Sequence, residues 1–213
     1  EKHLMDLIAD GFIGEVVNVN IRVTDGSSYP DSDTEAHWRQ MRELSGNNVM
    51  TTGIWYENLM RLVGTASSVS ANAQIVVPYR RSWDGNRYPM TIPDQLDVIY
   101  SLAGGGSVNM TVTTVSGSFA PPTEIWIFGT EGTLRIEVNG LDVDPKVTGA
   151  RKGDQVMSEI VVPDEKRGSW RVEEEFINAI RGIEPVTRSN FTDALKYMEF
   201  TDAVQRSWQT GKR

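Results

Sequence analysis

The stretch Asp94–Val115 (DQLDVIYSLAGGGSVNMTVTTV) decides the fold. Apolar and polar side chains alternate on both sides of the glycine run Gly104–Gly106, which predicts two strands, Asp94–Leu102 and Ser107–Val115, joined by a tight turn. The glycine run leads into a strand and not into a helix, so it offers no helix N-terminus to a pyrophosphate. The pattern therefore favours an antiparallel hairpin over a dinucleotide-binding turn.

Further strand signals lie on both sides of this hairpin. The residues Gly129–Gly132 separate two short apolar runs and predict a second hairpin. The segment Pro78–Pro93 is rich in polar and turn-forming residues, which predicts a long loop. The additional predicted strands are Val17–Val23, Ser67–Val77, Glu124–Phe128, Thr133–Val138 and Glu159–Val162.

Helical periodicity marks both ends of the chain and one segment between the first two strands. The predicted helices are Lys2–Asp10, Asn47–Val63, one that contains Trp170, Phe176, Ile177 and Ile180, and one from Phe191 to Trp208 with Asn190 or Ser189 as its N-cap. Strands in a run followed by helices predict an α+β fold, with a large, mostly antiparallel sheet and helices packed on one face. No linker divides residues 1–213, so a single domain is expected.

Composition excludes several classes of function. The 213 residues include 21 Lys and Arg and 29 Asp and Glu, and the resulting net charge of −8 disfavours nucleic acid as a partner. The chain has no cysteine, which excludes disulfides, iron–sulfur clusters and thiol nucleophiles and fits a cytoplasmic protein. The two histidines, His3 and His37, have no partner at metal-ligand spacing, so no metal site is predicted. No apolar run reaches the length of a membrane span.

A group of aromatic and polar residues lies near the start of the second predicted helix. Thr51 and Trp55 are four residues apart and share a helical face, and Asn58 follows three residues further along it. A hydroxyl, an indole N–H and an amide in one line can hydrogen-bond a polyhydroxylated ligand while the indole ring stacks on it. The alternative is that Trp55 and Tyr56 are ordinary core aromatics. The candidate set is Trp38, Arg39, Thr51, Trp55, Tyr56 and Asn58.

Four segments of the chain resemble the C-terminal domain of the Gfo/Idh/MocA oxidoreductase family. They are Leu7–Val16 (LIADGFIGEV), Ser45–Asn58 (SGNNVMTTGIWYEN), Phe128–Leu134 (FGTEGTL) and Phe176–Arg213. In order and approximate spacing the similarity covers nearly the whole chain. It implies an α+β domain that follows an N-terminal Rossmann domain for NAD or NADP, so we expect that domain to be absent from this chain, which would begin just after it.

This chain differs from the family pattern at the positions that carry the acid–base chemistry. The family pattern GGGxxxDxGxHxxD carries an Asp and a His that work with a Rossmann-domain Lys in proton transfer to or from a sugar hydroxyl. Here the Asp position is Thr51, the His position is Trp55 and the final Asp position is Asn58, while Gly53 matches. Neither Thr nor Trp acts as a general base near neutral pH, so no catalytic residue is predicted in this chain.

The resemblance implies the substrate-binding domain of an NAD(P)-dependent oxidoreductase that acts on a sugar, a polyol or a related hydroxy compound. Substrate would contact Thr51, Trp55, Tyr56 and Asn58, with Trp38 and Arg39 near the nicotinamide. The isolated chain is not expected to turn over a sugar. One alternative is a non-catalytic relative that senses a sugar or a dinucleotide, and another is a purely structural assembly domain.

An uncovered sheet face predicts self-association. In Glu124–Phe128 the side chains of Ile125 and Ile127 oppose those of Trp126 and Phe128, so a sheet with helices on one face leaves one of these pairs exposed to water. Burying a large apolar side chain contributes about 1.5–3 kcal/mol. A homodimer or tetramer through the open sheet face is therefore expected.

Overall fold

The computed structural model describes residues 1–24, 29–46, 51–117, 121–139, 143–188 and 190–212. The helices are α1 (Lys2–Ala9), α2 (Arg42–Ser45), α3 (Thr52–Val63), α4 (Val172–Ile180) and α5 (Phe191–Thr210). The strands are β1 (Val16–Thr24), β2 (Ala66–Gln74), β3 (Tyr79–Arg81), β4 (Arg87–Pro89), β5 (Gln95–Leu102), β6 (Ser107–Thr113), β7 (Thr123–Gly129), β8 (Gly132–Val138), β9 (Lys146–Arg151) and β10 (Ser158–Glu159).

Eight of these strands form one mixed sheet in the order β10-β9-β8-β7-β1-β6-β5-β2. Neighbouring strands are antiparallel except β1 and β6, which run parallel. The hairpins β5–β6 and β7–β8 are those that the glycine turns predict. The α+β fold with a large, mostly antiparallel sheet is thus confirmed.

Strand β1 joins the two halves of the sheet. Val19 lies opposite Val108 of β6 and Ile127 of β7, and all three side chains are completely buried. Ile21 repeats the arrangement two residues later, opposite Met110 and Ile125. These apolar side chains all project from the same face because residues paired across a ladder point the same way. This covered face holds the core of the domain.

Helices α3 and α5 cover the β2–β5 end of this face. The ring of Tyr56 on α3 stacks on Phe200 of α5, with centroids 3.8 Å apart and planes 2° from parallel. Both rings contact Tyr100 of β5 in edge-to-face arrangements. The centroid of the Tyr100 ring lies 5.9 Å from that of Tyr56 and 5.1 Å from that of Phe200. The Tyr56 hydroxyl accepts a hydrogen bond from the Ala66 N–H at 2.9 Å. This aromatic cluster fixes α3 on the sheet.

The segment between α1 and β1 covers part of the opposite half. It crosses the β7–β8 hairpin closely enough that the Glu131 N–H donates to the Ile13 carbonyl at 2.8 Å. A Cβ atom at Gly129 would overlap that carbonyl oxygen, and one at Gly132 would lie 2.5 Å from the Phe12 carbonyl oxygen. The glycines of this hairpin are therefore required by a backbone crossing as well as by the turn.

The structure corrects several predicted strands. The predicted loop Pro78–Pro93 contains the small hairpin β3–β4. Strand β2 ends at Gln74, before the predicted Val77, because the Asp94 carboxylate accepts the N–H groups of Val76 at 2.6 Å and Val77 at 2.9 Å. Strand β9 was not predicted, and the last strand is Ser158–Glu159 instead of Glu159–Val162.

The helix boundaries follow the sequence more closely. Helix α3 ends before Gly64, as expected, whereas its predicted first residues 47–50 lie outside the described residues. Asn190 is the N-cap of α5, and its side chain accepts a hydrogen bond from the Asp193 N–H at 2.9 Å; Ser189, the other N-cap candidate, is not described. No helix in the described part of the chain has the length and apolar character needed to cross a membrane.

Helix α4 departs from the pattern of an amphipathic surface helix. Its apolar residues Phe176 and Ile180 are exposed, and its one buried side chain is Glu175. Glu173 and Glu174 beside it are exposed, so only Glu175 of this carboxylate run is buried. Its carboxylate accepts hydrogen bonds from the Thr187 N–H at 3.1 Å and the Thr187 hydroxyl at 2.9 Å, and these bonds replace water. The same bonds lower the pKa of Glu175.

The crossing at Gly129 can be tested against a glycine in open space. We expect Gly129→Ala to lower the free energy of unfolding by about 1–3 kcal/mol, because the added methyl group must displace backbone. Gly104→Ala is the matched control, since nothing lies within 4 Å of a Cβ there, and its effect should stay below about 1 kcal/mol. Urea denaturation measures both. Equal effects of the two substitutions would contradict the crossing.

Candidate functional site

Helix α3 has a core face and an outer face. The core face carries Tyr56, Leu59 and Met60, which are buried against the sheet and α5. A helix that buries residues 56, 59 and 60 turns positions 55 and 58 away from the core centre. Trp55 and Asn58 therefore lie off the core face of α3, whereas Thr51 precedes the helix as its N-cap, so the helical spacing does not place it.

Thr51 marks the point where the chain enters α3. Its φ of 63° and ψ of 14° place it in the left-handed region, and among the described residues it is the one non-glycine with positive φ. The left-handed conformation costs a residue with a Cβ about 1–2 kcal/mol. Residues held in this way concentrate at ligand and active sites. The observation fits a functional role for the position that the family pattern gives to Asp.

Trp55 and Asn58 offer different surfaces. Trp55 is half-buried and packs against the edge of the hydrophobic core, so its ring is not sealed inside. Asn58 is exposed, and its Nδ2 donates to the Ile54 carbonyl at 3.0 Å. That hydrogen bond fixes the amide and leaves the Oδ1 atom as an acceptor directed away from the helix backbone. Together they supply an aromatic edge and a polar group.

Tyr56 does not join this surface. It is 2% exposed, and its hydroxyl is engaged by the Ala66 N–H within the aromatic cluster described above. Burial raises the pKa of Tyr56, so the phenol stays protonated. The alternative of a core aromatic is therefore correct for Tyr56, because position 56 lies 100° around the helix from position 55.

Trp38 and Arg39 lie on a separate 3₁₀ turn, Trp38–Gln40, which packs mainly against α2. The Arg39 guanidinium stacks over the Trp38 ring at 4.0 Å, and Trp38 remains 47% exposed. The His37 Nδ1 accepts the Arg39 N–H at 3.3 Å, so this histidine acts as a helix cap. The structure thus pairs Trp38 with Arg39, and their predicted place near a nicotinamide stays a prediction.

A groove of about 460 Å³ lies beside the outer face of α3. Asn58 is the member of the predicted set that lines it, and the opposite wall comes from the chain before α4 and the chain before α5. Sequence reasoning missed this wall because it places Trp170 in the helix that follows, whereas α4 begins at Val172, and because Thr187–Arg188 carry no periodic pattern. The residues that line the groove include Asn58, Arg61, Trp170, Glu175, Thr187 and Arg188.

Neither a metal nor a dinucleotide fits the described residues by themselves. No three His, Asp or Glu side chains among them are arranged to hold a metal ion. A pyrophosphate needs a glycine-rich turn between a strand and a helix, whereas Gly104–Gly106 and Gly129–Gly132 both join antiparallel strands. What the site offers is hydrogen-bonding and stacking surface, with no group at Thr51 or Trp55 that titrates near neutral pH.

The geometry defines an open-faced α+β domain, a large mixed sheet with helices on one side and a polar helix face beside a groove. Residues 2–135 match the sequence model of the GFO/IDH/MocA C-terminal domain, and the chain belongs to this oxidoreductase family, as the resemblance predicts. A sequence search among curated proteins finds no match.

Solved structures share the fold. Levoglucosan dehydrogenase in complex with NADH and L-sorbose has a TM-score of 0.81 at 19% identity, over 98% of this chain and 61% of the dehydrogenase. An NAD binding oxidoreductase from Klebsiella pneumoniae has a TM-score of 0.78 at 18% identity, over 99% and 61%. A super-repressor mutant of Gal80p from Saccharomyces cerevisiae has 0.73 at 17%, over 99% and 60%. The chain spans about three fifths of these proteins.

The strain at Thr51 gives a direct test of the site geometry. We expect Thr51→Gly to be more stable than Thr51→Ala by about 1 kcal/mol, because glycine enters the left-handed region without the Cβ penalty. Thermal and urea denaturation of both variants measure the difference. An alanine variant as stable as the glycine variant would show that the backbone at Thr51 is not left-handed.

Proposed function

We propose that this chain is the substrate-binding domain of an NAD(P)-dependent oxidoreductase that acts on a sugar, a polyol or a related hydroxy compound. The observation that carries the proposal is that Trp55 and Asn58 lie off the core face of α3 and Thr51 lies at its N-cap, at the positions of the family motif. An exposed amide that lines a groove, with a half-buried indole on the same helix, suits a ligand with hydroxyl groups and an apolar ring face.

The structural neighbours support this class of ligand. Levoglucosan dehydrogenase, which shares the fold, is solved with NADH and L-sorbose. In our proposal NAD or NADP is held by a Rossmann domain outside this chain, with Trp38 and Arg39 near the nicotinamide. The exposed apolar side chains of α4 and α5, which include Phe176, Ile180 and Phe191, offer a surface for such a domain.

The chemistry of the side chains at Thr51, Trp55 and Asn58 limits this chain to binding and orienting a substrate. Thr51 can donate and accept a hydrogen bond, Trp55 can donate one and stack, and Asn58 can orient a hydroxyl. None of these three groups removes a proton near neutral pH. The chain therefore binds and orients substrate, and proton transfer depends on a residue elsewhere in the protein.

A non-catalytic sensor is the second candidate function. It is favoured by the replacement of the family's Asp and His with Thr51 and Trp55. A super-repressor mutant of Gal80p has the same fold, so the fold is compatible with repressor proteins as well as with enzymes. Both candidates require a ligand on the outer face of α3, and they differ in whether the complete protein oxidises or reduces that ligand.

Sugar binding at α3 can be tested on the chain itself. We expect millimolar sorbitol to bind, and Asn58→Ala and Trp55→Leu each to weaken binding at least about fivefold, because each removes a contact worth about 1 kcal/mol. Trp83→Leu is the control, since Trp83 is 84% exposed at the tip of the β3–β4 hairpin. Ligand-observed NMR titration measures the affinities. Unchanged binding in both α3 variants would refute the proposed site.

The open sheet face supports the proposal of a homo-oligomer. Ile125 and Ile127 lie on the covered face, whereas Trp126 and Phe128 lie half-exposed on the open face with their rings stacked at 5.8 Å. Arg135 bridges Glu124 at 2.5 Å and Glu137 at 2.6 Å beside Trp126. Polar side chains continue the face on β1 and β6, where Asn109 donates to Asn20 at 3.1 Å. Arginine and tryptophan are enriched at interface hot spots.

Sedimentation tests this face. At micromolar concentration the chain should sediment above its monomer mass, because two copies can bury the Trp126 and Phe128 rings together. Ile99→Lys, on the open face and 60% exposed, should shift the protein toward monomer. Val161→Lys, 72% exposed and outside the strands, should leave the mass unchanged. A wild-type chain that is strictly monomeric would count against the sheet-mediated oligomer.

A further inference from the structure

Four arginines and Lys2 line the groove beside α3, and three of the arginines are paired with carboxylates. The Arg61 Nη2 lies 2.6 Å from the Glu57 carboxylate, and Arg171 lies 2.8 Å from Glu174. Arg167 pairs in the same way with Asp144 at 2.7 Å. These arginines need no further anion, because each already has a charge-assisted hydrogen bond.

Arg188 is different. It is half-buried on the groove wall, and its Nη1 and Nη2 atoms pack beside Gly168, 3.7 and 3.9 Å from the position that a Cβ would take. Among the described residues, no carboxylate forms an ion pair with its guanidinium. Its guanidinium nitrogens are not buried, so the group is accessible to a ligand in the groove.

The buried carboxylate that lines this groove, Glu175, is engaged by backbone and hydroxyl donors. Glu175 accepts hydrogen bonds from the Thr187 N–H and hydroxyl and from the Arg188 N–H at 3.3 Å. These bonds are to the backbone of Arg188 and to Thr187, so they hold this segment in place while the Arg188 side chain remains unneutralised. Glu175 thus builds the wall that presents the guanidinium to the groove.

We propose that Arg188 binds an oxyanion on the ligand, so that the ligand of this site is a sugar or polyol that carries a carboxylate or a phosphate. A guanidinium suits either group because its fork of N–H donors matches two oxygens. Asn58 lines the same groove, and the exposed Trp170 ring lies at its wall, where a sugar ring can stack. The inference rests on the proposed function, and it narrows the substrate class.

The net charge of the chain bears on how an anionic ligand can be recognised. At −8 the protein repels an anionic ligand at long range. Recognition must therefore come from short-range contacts, and a single unneutralised arginine within the groove supplies one. Removal of that charge should abolish the preference for the anion and leave the contacts to hydroxyl groups in place.

The test compares three probes of similar size on the whole chain by NMR titration. Sorbitol is neutral, D-gluconate carries a carboxylate, and D-glucose 6-phosphate carries a phosphate. We expect at least one of the two anions to bind tenfold or more tightly than sorbitol. The tighter of the two identifies which oxyanion the site takes.

Variants of Arg188 test whether this residue causes the preference for an anion over sorbitol. Arg188→Gln should reduce the affinity for the preferred anion to that for sorbitol, and Arg188→Lys should retain part of the preference. Arg206→Gln is the matched control, because Arg206 is exposed on α5 away from the groove. Unchanged sorbitol binding and an unchanged thermal midpoint in Arg188→Gln show that the variant is folded.

Two results would overturn the inference, and they are distinguishable. Equal affinity for sorbitol and both anions, or an anion preference that survives Arg188→Gln, would refute the role of Arg188 and leave the proposed function intact. Failure of all three probes to perturb α3 would refute the proposed function as well.

Discussion

The insertion of β1 between β6 and β7 is the constraint on which the rest of the structure depends. A strand near the start of the chain pairs in parallel with one about 90 residues later and antiparallel with another beyond it. Val19 and Ile21 then complete one continuous apolar face across both halves of the sheet. The helices cover this apolar face, so the opposite face of the sheet stays open and is polar around Asn20 and Asn109.

The position of α3 follows from this arrangement. Its core face is fixed by the contacts of Tyr56 with Phe200 and Tyr100, and the proposed ligand site lies on the other side of the same helix. The groove beside it is closed by the segment that Glu175 holds through Thr187. In the proposed function, the binding surface and the core are thus two sides of one helix, and the binding side offers recognition without a general base.

Local sequence patterns predict much of this architecture. Alternation and glycine turns predict β5–β6 and β7–β8, and the helical period places Trp55 and Asn58 off the core face of α3. It does not describe Thr51, whose backbone is left-handed before the helix begins. Tertiary contacts decide the rest. Strand β9 (KVTGAR) lacks a clear alternation and is set by its ladder with β8, and Glu175 is buried by a partner twelve residues away. Neither the groove wall nor Arg188 has a local signal, because both depend on how distant segments meet.

The central claim is that the outer side of α3 is the ligand site. The most direct measurement is a ¹H–¹⁵N correlation spectrum of the chain titrated with D-gluconate, in which each indole N–H gives its own signal. The account predicts that the Trp55 indole and the Asn58 amide shift together in a saturable way while the Trp126 indole on the open sheet face stays fixed. A shift confined to Trp126, or no saturable shift at Trp55 and Asn58, would contradict it.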